Sequence, residues 1–208
     1  KVLCKRLWQN LGLNTPSFVE LDKQTNWQEV IDTLGTVFVK PVKEGSSIGI
    51  SKAESPEALA KAYSDARQYD DVVIAEQFID GPEYTVAILG DKVLPVVGMQ
   101  AENEFYDYEA KYFSEETRYF CPCDLDEQTE AELGTFAKQA YEAVGCAGWG
   151  RVDVMRDGNG KFWLLEVNTI PGMTGHSLVP MAANEAGINF DALVLDILSS
   201  TGENRARD

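Results

Sequence analysis

Trp149-Gly150-Arg151-Val152-Asp153-Val154-Met155 and Lys161-Phe162-Trp163-Leu164-Leu165-Glu166-Val167-Asn168 flank the tetrapeptide Asp157-Gly158-Asn159-Gly160. Two apolar, β-branched runs about a turn of glycine, asparagine and aspartate predict a β-hairpin. Side chains alternate between the faces of a strand. Arg151 and Asp153 therefore share one face, and Val152 and Val154 take the other. On the second strand Glu166 and Asn168 share a face, and Leu165 and Val167 take the other. A loop over 158–161 pairs Asp157 with Phe162. That register sets Asp153 opposite Glu166 and Arg151 opposite Asn168, with valines and leucines packed beneath. Directly opposed residues have Cβ atoms about 4.5–5.5 Å apart. Two carboxylates at that spacing repel unless a cation lies between them. Asp, Glu and Asn are hard oxygen donors of the kind Mg²⁺ takes, with nucleotide phosphates commonly completing its octahedron. A solvated face balanced by Arg151 is the plainer alternative, but the following Asn168-Thr169-Ile170-Pro171-Gly172-Met173-Thr174 favours the metal.

Outward from the hairpin, Asp126 begins a helix whose inner face is Leu133, Phe136, Ala137, Ala140, Tyr141 and Val144, and Gly145 stops it. Two short helices over 177–186 and 190–199 follow the hairpin, and 201–208 reads as a frayed tail. Upstream, 36–40, 72–78, 84–89 and 93–99 read as strands. Ser55-Pro56-Glu57 starts a helix running to about Gln68: a serine cap, proline in the first turn, then an acid at the positive end of the dipole. Residues 1–13 read as a helix with Leu3, Leu7 and Leu11 at four-residue steps. Irregular alternation of strands and helices, with hairpins, predicts an α+β fold. Gly81-Pro82 is the expected junction between a smaller subdomain, 1–80, and a larger one, 81–208.

The 208 residues are enough for one large core or two small ones. Hydrophobic residues at 44% with charged residues at 25% exclude wholesale disorder. The 34 acids against 18 bases give a net charge of −16, which repels a nucleic-acid backbone. A small anion needs only a local basic pocket, so a nucleotide stays admissible. Residues 1–13 contain no long apolar run, so they form neither a signal peptide nor a membrane span. Opening on Lys1 rather than Met suggests a piece of a longer chain. Cys4, Cys121, Cys123 and Cys146 contain no C-x-x-C pair, and His176 is the single histidine, so zinc and a disulfide framework are not expected.

Two loops add chemistry. Val39-Lys40-Pro41-Val42-Lys43-Glu44-Gly45-Ser46-Ser47-Ile48-Gly49 is a strand ending in lysine, then a small-residue loop whose backbone N–H groups can cradle phosphate. No Gly-Lys-Ser/Thr opens a helix here, so this is not a Walker motif, and a plain β-turn is equally compatible. Phe105-Tyr106-Asp107-Tyr108-Glu109-Ala110-Lys111-Tyr112 lies in an aperiodic stretch over 102–119. Its aromatics argue against disorder, and a water-excluding lid suits a reaction with a hydrolysable intermediate. The alternative is a packed surface loop.

Taken together, these segments resemble the D-alanine–D-alanine ligases of the ATP-grasp superfamily. The resemblance rests on Lys40-Pro41 with Glu44 to Gly49, on Gly81-Pro82-Glu83-Tyr84-Thr85-Val86, and on Tyr106 to Tyr112. It continues through Gly148 to Asp153 and Asn168 to Thr174, and ends in His176-Ser177-Leu178-Val179-Pro180. It implies two α+β subdomains that grip ATP, and a further N-terminal domain of about ninety residues that this sequence does not contain. That domain carries a glutamate for the first D-alanine. The fragment is accordingly expected to fold and to bind ATP weakly, without making dipeptide by itself.

The implied reaction phosphorylates the carboxylate of one D-alanine, and the amine of a second then displaces phosphate, a step in peptidoglycan precursor synthesis. Such phosphoryl transfer depends on positioning and charge neutralisation. The resemblance assigns Lys1, Lys40 and, in the lid, Lys111 to the ATP phosphates. It assigns Glu76, Gln77 and Ile79 to adenine, mainly through backbone atoms, and Glu83 to the ribose hydroxyls. Asp153, Glu166 and Asn168 would hold two Mg²⁺, with Glu166 bridging and Mn²⁺ able to substitute. Arg151 and the Gly172 N–H would stabilise the tetrahedral intermediate. Ser46 and Tyr112 would join the phosphate loop to the lid. Ser177 and Leu178, at a helix start, would hold the second carboxylate, beside His176. The expected setting is a cytoplasmic homodimer without nucleic-acid or membrane partners. A D-alanine–D-lactate ligase, another ATP-grasp carboxylate–amine ligase and an inert nucleotide-binding fragment are the alternatives. Lys111-Tyr112 favours the dipeptide, and the complete set Arg151, Asp153, Glu166 and Asn168 favours an active enzyme.

Overall fold

The computed structural model describes residues 1–44, 48–101 and 117–204, the side chains of 101, 117 and 201–204 excepted. Ser46, Lys111, Tyr112 and most of the expected lid lie outside the described residues. The chain forms two compact units. The first comprises Lys1–Val2 and Pro16–Ile79, and the second Leu3–Thr15, 80–101 and 117–204.

Unit 1 is an antiparallel sheet backed by two helices. Its strands are β1 (Phe18–Leu21), β2 (Val37–Pro41), β3 (Ser51–Ala53) and β4 (Val73–Gln77), in the order β1-β4-β2-β3. Helices α2 (Trp27–Leu34) and α3 (Pro56–Ala66) begin at side-chain caps. Asn26 accepts from the Glu29 N–H at 3.3 Å, and Ser55 from the Ala58 N–H at 3.2 Å. Val37 and Val39 alternate inward from β2 and Val73 and Ala75 from β4, where they meet Val30 of α2 and Leu59, Ala62 and Ala66 of α3. The alternate positions, Phe38, Lys40, Ile74 and Glu76, take the other face of the sheet.

Unit 2 is a six-stranded sheet in the order β10-β9-β5-β7-β8, with β6 also on β5. The strands are β5 (Glu83–Leu89), β6 (Lys92–Val93), β7 (Val97–Ala101), β8 (Thr117–Phe120), β9 (Trp149–Arg156) and β10 (Phe162–Asn168). The described pairings are all antiparallel. Helices α1 (Val2–Asn10) and α4 (Glu127–Ala143) cover one face, burying Trp8, Leu133, Ala137 and Tyr141 against Tyr84, Val86, Val152, Val154 and Leu164. Helices α5 (Leu178–Glu185) and α6 (Phe190–Asn204) cover part of the other, with Val179, Ala182 and Leu193 against Ala87, Leu89 and Val97. Antiparallel sheets with helices on their faces are the α+β architecture expected from the sequence. Gly81, at φ 148°, brings the chain so close to the Arg156 carbonyl that a Cβ would overlap it, which accounts for glycine at the entry to β5.

Several expectations change. The first helix exists, but it turns its leucines outward: Leu3 is 80% and Leu11 57% exposed, while Trp8 is fully buried and Lys5 is 1% exposed. The Trp8 indole N–H donates to the Ala140 carbonyl at 2.9 Å, so tertiary packing and one buried hydrogen bond decide the face. This contact also carries Leu3–Thr15 into unit 2, although the sequence places all of 1–80 in one subdomain. The single strand expected over 93–99 is two, β6 and β7, separated by Leu94-Pro95-Val96. Proline cannot donate to a ladder. Val96 instead gives its N–H to Glu130 of α4 at 2.8 Å. Strands β1 and β3 and helix α2 escape the sequence reading because they are short, and β8 occupies residues read as aperiodic.

The hairpin register differs near its turn. Arg156, not Asp157, opposes Phe162, and Leu164 opposes Val154. Asp157 is absorbed by the turn: its Oδ1 accepts from the Asn159 and Lys161 N–H groups, each at 2.9 Å, and its Oδ2 from the Trp163 indole at 2.9 Å. A β-bulge at Leu165 then adds one residue, so Glu166 opposes Asp153 and Asn168 opposes Arg151. Leu164 rather than Leu165 joins the core, because the extra residue exchanges the two faces of the strand.

Candidate functional site

The face of the unit 2 sheet that carries α5 and α6 is apolar at one end and polar at the other. On β5, Ala87 and Leu89 belong to the apolar end, and Glu83 and Thr85 continue the same face. On β9, Trp149 packs at the apolar end, and Arg151 and Asp153 follow. The ladder sets Thr85 beside Asp153, Glu166 on the other side of Asp153, and Asn168 beside Arg151. Glu83, Thr85, Arg151, Asp153, Glu166 and Asn168 thus form one polar patch across three neighbouring strands.

Asp153 is buried and held in place. The Arg151 guanidinium donates through Nε to Oδ1 at 2.8 Å and through a terminal nitrogen to Oδ2 at 2.9 Å. The Thr85 hydroxyl, 1% exposed, also donates to Oδ1. Burial opposes the charge of Arg151, but Asp153, Glu166 and Glu83 outweigh it and hold the guanidinium more firmly protonated than usual. The three carboxylates therefore share the field of one part-buried cation. Thr85 was not singled out from the sequence. Its signal was the two-residue step from Glu83, which places it on the same face.

Asn168 accepts from the Ile170 N–H at 3.3 Å through its side-chain oxygen. Behind it, Gly150 faces Tyr141 and the Asn168 carbonyl so closely that a Cβ would lie 2.7 Å from the ring and 3.1 Å from the carbonyl oxygen. Gly172 approaches Ser177, whose hydroxyl would lie 3.0 Å from an added Cβ. Ser177 stands at the N-cap of α5 but does not cap it with its side chain. Its hydroxyl accepts from the Thr174 N–H and contacts the Thr174 hydroxyl, both at 2.9 Å. Its carbonyl begins the helix by accepting from the Met181 N–H at 3.1 Å. Leu178 is the first residue of α5, and His176 is exposed beside it.

In unit 1, Lys40 and Glu76 are ion-paired on the face turned away from α2 and α3, and Glu76 is 2% exposed. The Lys40 ammonium also lies 5.5 Å from the centre of the Phe38 ring. Gln77 and Phe78 spend their N–H groups on the Ser17 carbonyl at 2.8 Å and the Thr36 carbonyl at 2.9 Å. Ile79 is buried and ends the unit. The Lys1 ammonium donates to the Glu44 carbonyl at 2.7 Å.

The donor chemistry fits a hard divalent cation. Among the described residues no three acidic, cysteine or histidine side chains converge on one point. Asp153, Glu166 and Asn168 of the patch instead offer two carboxylates and an amide oxygen, a set Mg²⁺ takes when phosphate and water supply its other ligands. Asp153 Oδ2 carries one of the described hydrogen bonds and Oδ1 two, so Oδ2 keeps a lone pair to offer.

A six-stranded antiparallel sheet with a carboxylate-bearing hairpin and a four-stranded antiparallel unit with an ion-paired lysine are the two parts of the ATP-grasp fold. The sequence model of the D-ala D-ala ligase C-terminus matches residues 7–199, and the chain belongs to that family. It is 54% identical over 198 residues to the D-alanine--D-alanine ligase of Chromohalobacter salexigens, covering 95% of this chain and 63% of that protein. The ligase of Saccharophagus degradans is 52% identical, with 97% and 64% covered. The chain thus spans less than two thirds of the length of these relatives. The crystal structure of D-alanine--D-alanine ligase from Bacillus anthracis superposes with a TM-score of 0.88 at 31% identity, over 100% of this chain and 68% of that one. The VanG D-Ala:D-Ser ligase from Enterococcus faecalis superposes with a TM-score of 0.85 at 31% identity, over 96% and 60%.

Proposed function

We propose that this chain is the ATP-using part of an enzyme that joins two D-alanines into D-alanyl-D-alanine through an acyl phosphate, for peptidoglycan precursors in the cytoplasm. The observation that carries this reading is the opposed pair Asp153 and Glu166 on the hairpin, with Asn168 two residues further along the same face. Phosphoryl transfer needs charge neutralised at fixed positions, and Asp153, held by Arg151 and the buried Thr85, supplies a preorganised carboxylate for Mg²⁺. Two ions bridged by Glu166 are the arrangement we favour, with Mn²⁺ as a substitute.

Unit 2 contributes Asp153, Glu166 and Asn168 to the metal, Glu83 to the ribose, and Arg151 with the Gly172 N–H to the tetrahedral intermediate. Ser177 and Leu178 hold the carboxylate of the second D-alanine at the N-terminus of α5, beside His176. The Ser177 hydroxyl, aimed at Thr174, must turn for this, or the helix N–H groups do the holding. Unit 1 contributes Lys1 and Lys40 to the phosphates and Glu76, Gln77 and Ile79 to adenine. The N–H of Gln77 is already bonded, so the contact there falls to its carbonyl. The Lys40–Glu76 pair has a matching consequence: Lys40 reaches phosphate while remaining beside Glu76. Ser46, Lys111 and Tyr112 complete the phosphate loop and lid. Formation of dipeptide requires the part of the relatives' length that this chain does not span, and the complete enzyme acts as a homodimer.

The test is Glu166→Gln in the intact protein. We expect ATP-dependent dipeptide formation to fall more than about a hundredfold, with the melting temperature preserved, as for loss of a charge-stabilising group. An unchanged rate and Mg²⁺ dependence would remove the reading. Similarity to a D-Ala:D-Ser ligase makes acceptor choice a separate question. Competition between D-alanine and D-lactate in Tyr112→Phe answers it, because a lid hydroxyl that favours the amine should shift the product ratio when removed.

A further inference from the structure

We infer that Thr15, oriented by Lys5, is a positioning residue that pegs the β-bulge of β10 and so sets the register of the cation-binding strand; this rests on the metal reading above. The β-bulge is what brings Glu166 opposite Asp153. Without the extra residue at Leu165, the pairing of Leu164 with Val154 would set Leu165 opposite Asp153 and turn Glu166 toward the core. Whatever holds the bulge therefore holds the cation site.

β10 is an edge strand, so its outward backbone groups have no neighbouring strand to bond. At Leu164, the residue just before the bulge, both groups are taken by the segment after α1. The Leu164 N–H donates to the Asn14 carbonyl at 2.9 Å. The Leu164 carbonyl accepts from the Thr15 hydroxyl at 2.8 Å. The Thr15 hydroxyl in turn accepts from the Lys5 ammonium at 2.6 Å. An ammonium has no acceptor to offer, so this contact leaves the Thr15 hydrogen free to point only at Leu164. Lys5 and Thr15 are 1% and 5% exposed, which strengthens the chain of donors and excludes competing water. A one-residue slip of β10 would pull the Leu164 carbonyl off Thr15 and its N–H off Asn14, stranding buried polar groups.

The peg joins Lys5, on the face of α1 opposite the exposed Leu3 and Leu7, to Asn14 and Thr15 in the segment that follows. It explains a buried lysine that no step of the proposed reaction uses. Outer partners that orient metal-bearing groups typically matter about tenfold or more in affinity.

The experiment compares Thr15→Val, Thr15→Ser and Glu166→Gln in the intact protein. Mn²⁺ binding in the presence of ATP is followed by electron paramagnetic resonance, and amide hydrogen exchange is followed over 164–168. Thr15→Val should weaken Mn²⁺ binding about tenfold and speed exchange at Glu166 to Asn168, while metal-free ATP affinity stays within twofold. Thr15→Ser, which keeps the hydroxyl, should restore both. Unchanged Mn²⁺ binding in Thr15→Val alongside weakened binding in Glu166→Gln would overturn the peg alone. Equal loss in the valine and serine variants would make Thr15 a packing residue and overturn it too. Unchanged binding in Glu166→Gln would overturn the metal reading and this inference with it.

Discussion

Both sheets bury a valine-rich face beneath helices and carry charge on the other, yet the two charged faces are balanced differently. In unit 1, Lys40 and Glu76 form a pair of opposite charges. In unit 2, Asp153, Glu166 and Glu83 all act on Arg151. An ammonium and a carboxylate in contact offset part of each other's desolvation, whereas three acids act together to keep one arginine charged. The difference separates a face that positions a lysine from the face on which the proposed cation site lies.

Glu166→Gln breaks the comparison most directly, since the expected loss exceeds about a hundredfold in turnover without loss of fold. If unit 2 behaved like unit 1, the change would appear as stability and not as turnover. Lys40→Met attacks the other side. It leaves Glu76, 2% exposed, without its lysine, and should destabilise the protein by about 3–5 kcal/mol in urea unfolding. A denaturation midpoint within error of the parent would show that the pair carries no such dependence. Thr85→Val sharpens the account of Asp153 and should lower the apparent Mg²⁺ affinity about tenfold, read from the metal dependence of the rate.

The smallest effect is a pH effect in unit 1. Burial works against the Asp70 carboxylate, but the Val72 and Lys43 N–H groups and the Lys43 charge overcome this and hold its pKa below the usual value. Its folded pKa lies below its unfolded one, so its contribution is complete above about pH 4 and is lost as pH falls through the folded value. Asp70→Asn should therefore cost stability at pH 7 and progressively less toward pH 2, measured by thermal melts across that range. An equal cost at every pH would assign the loss to hydrogen-bond geometry and not to charge.

Local chemistry was legible in the sequence. Ser55-Pro56 and Asp126 start α3 and α4 as their capping residues dictate, because a cap acts within four residues. The glycine-rich turn announced the hairpin, and alternation grouped Arg151 with Asp153 and Glu166 with Asn168. Glu83 was named only by the resemblance, and nothing gave reason to choose Thr85 until β5 was seen against β9.

Tertiary structure decided the rest. Leu3, Leu7 and Leu11 recur at four-residue steps, yet Trp8 takes the buried side of α1, because a large ring with a hydrogen-bond partner outweighs leucines that solvent tolerates. The hairpin register near the turn depended on Asp157 gathering two backbone N–H groups and the Trp163 indole, a choice among turn geometries that composition leaves open. The bulge at Leu165 then recovered the pairing of Asp153 with Glu166. Residue types and their spacing determine which side chains share a strand face. Which strand lies beside which, and where one extra residue is admitted, depends on contacts more than a hundred residues apart, such as Thr15 with Leu164.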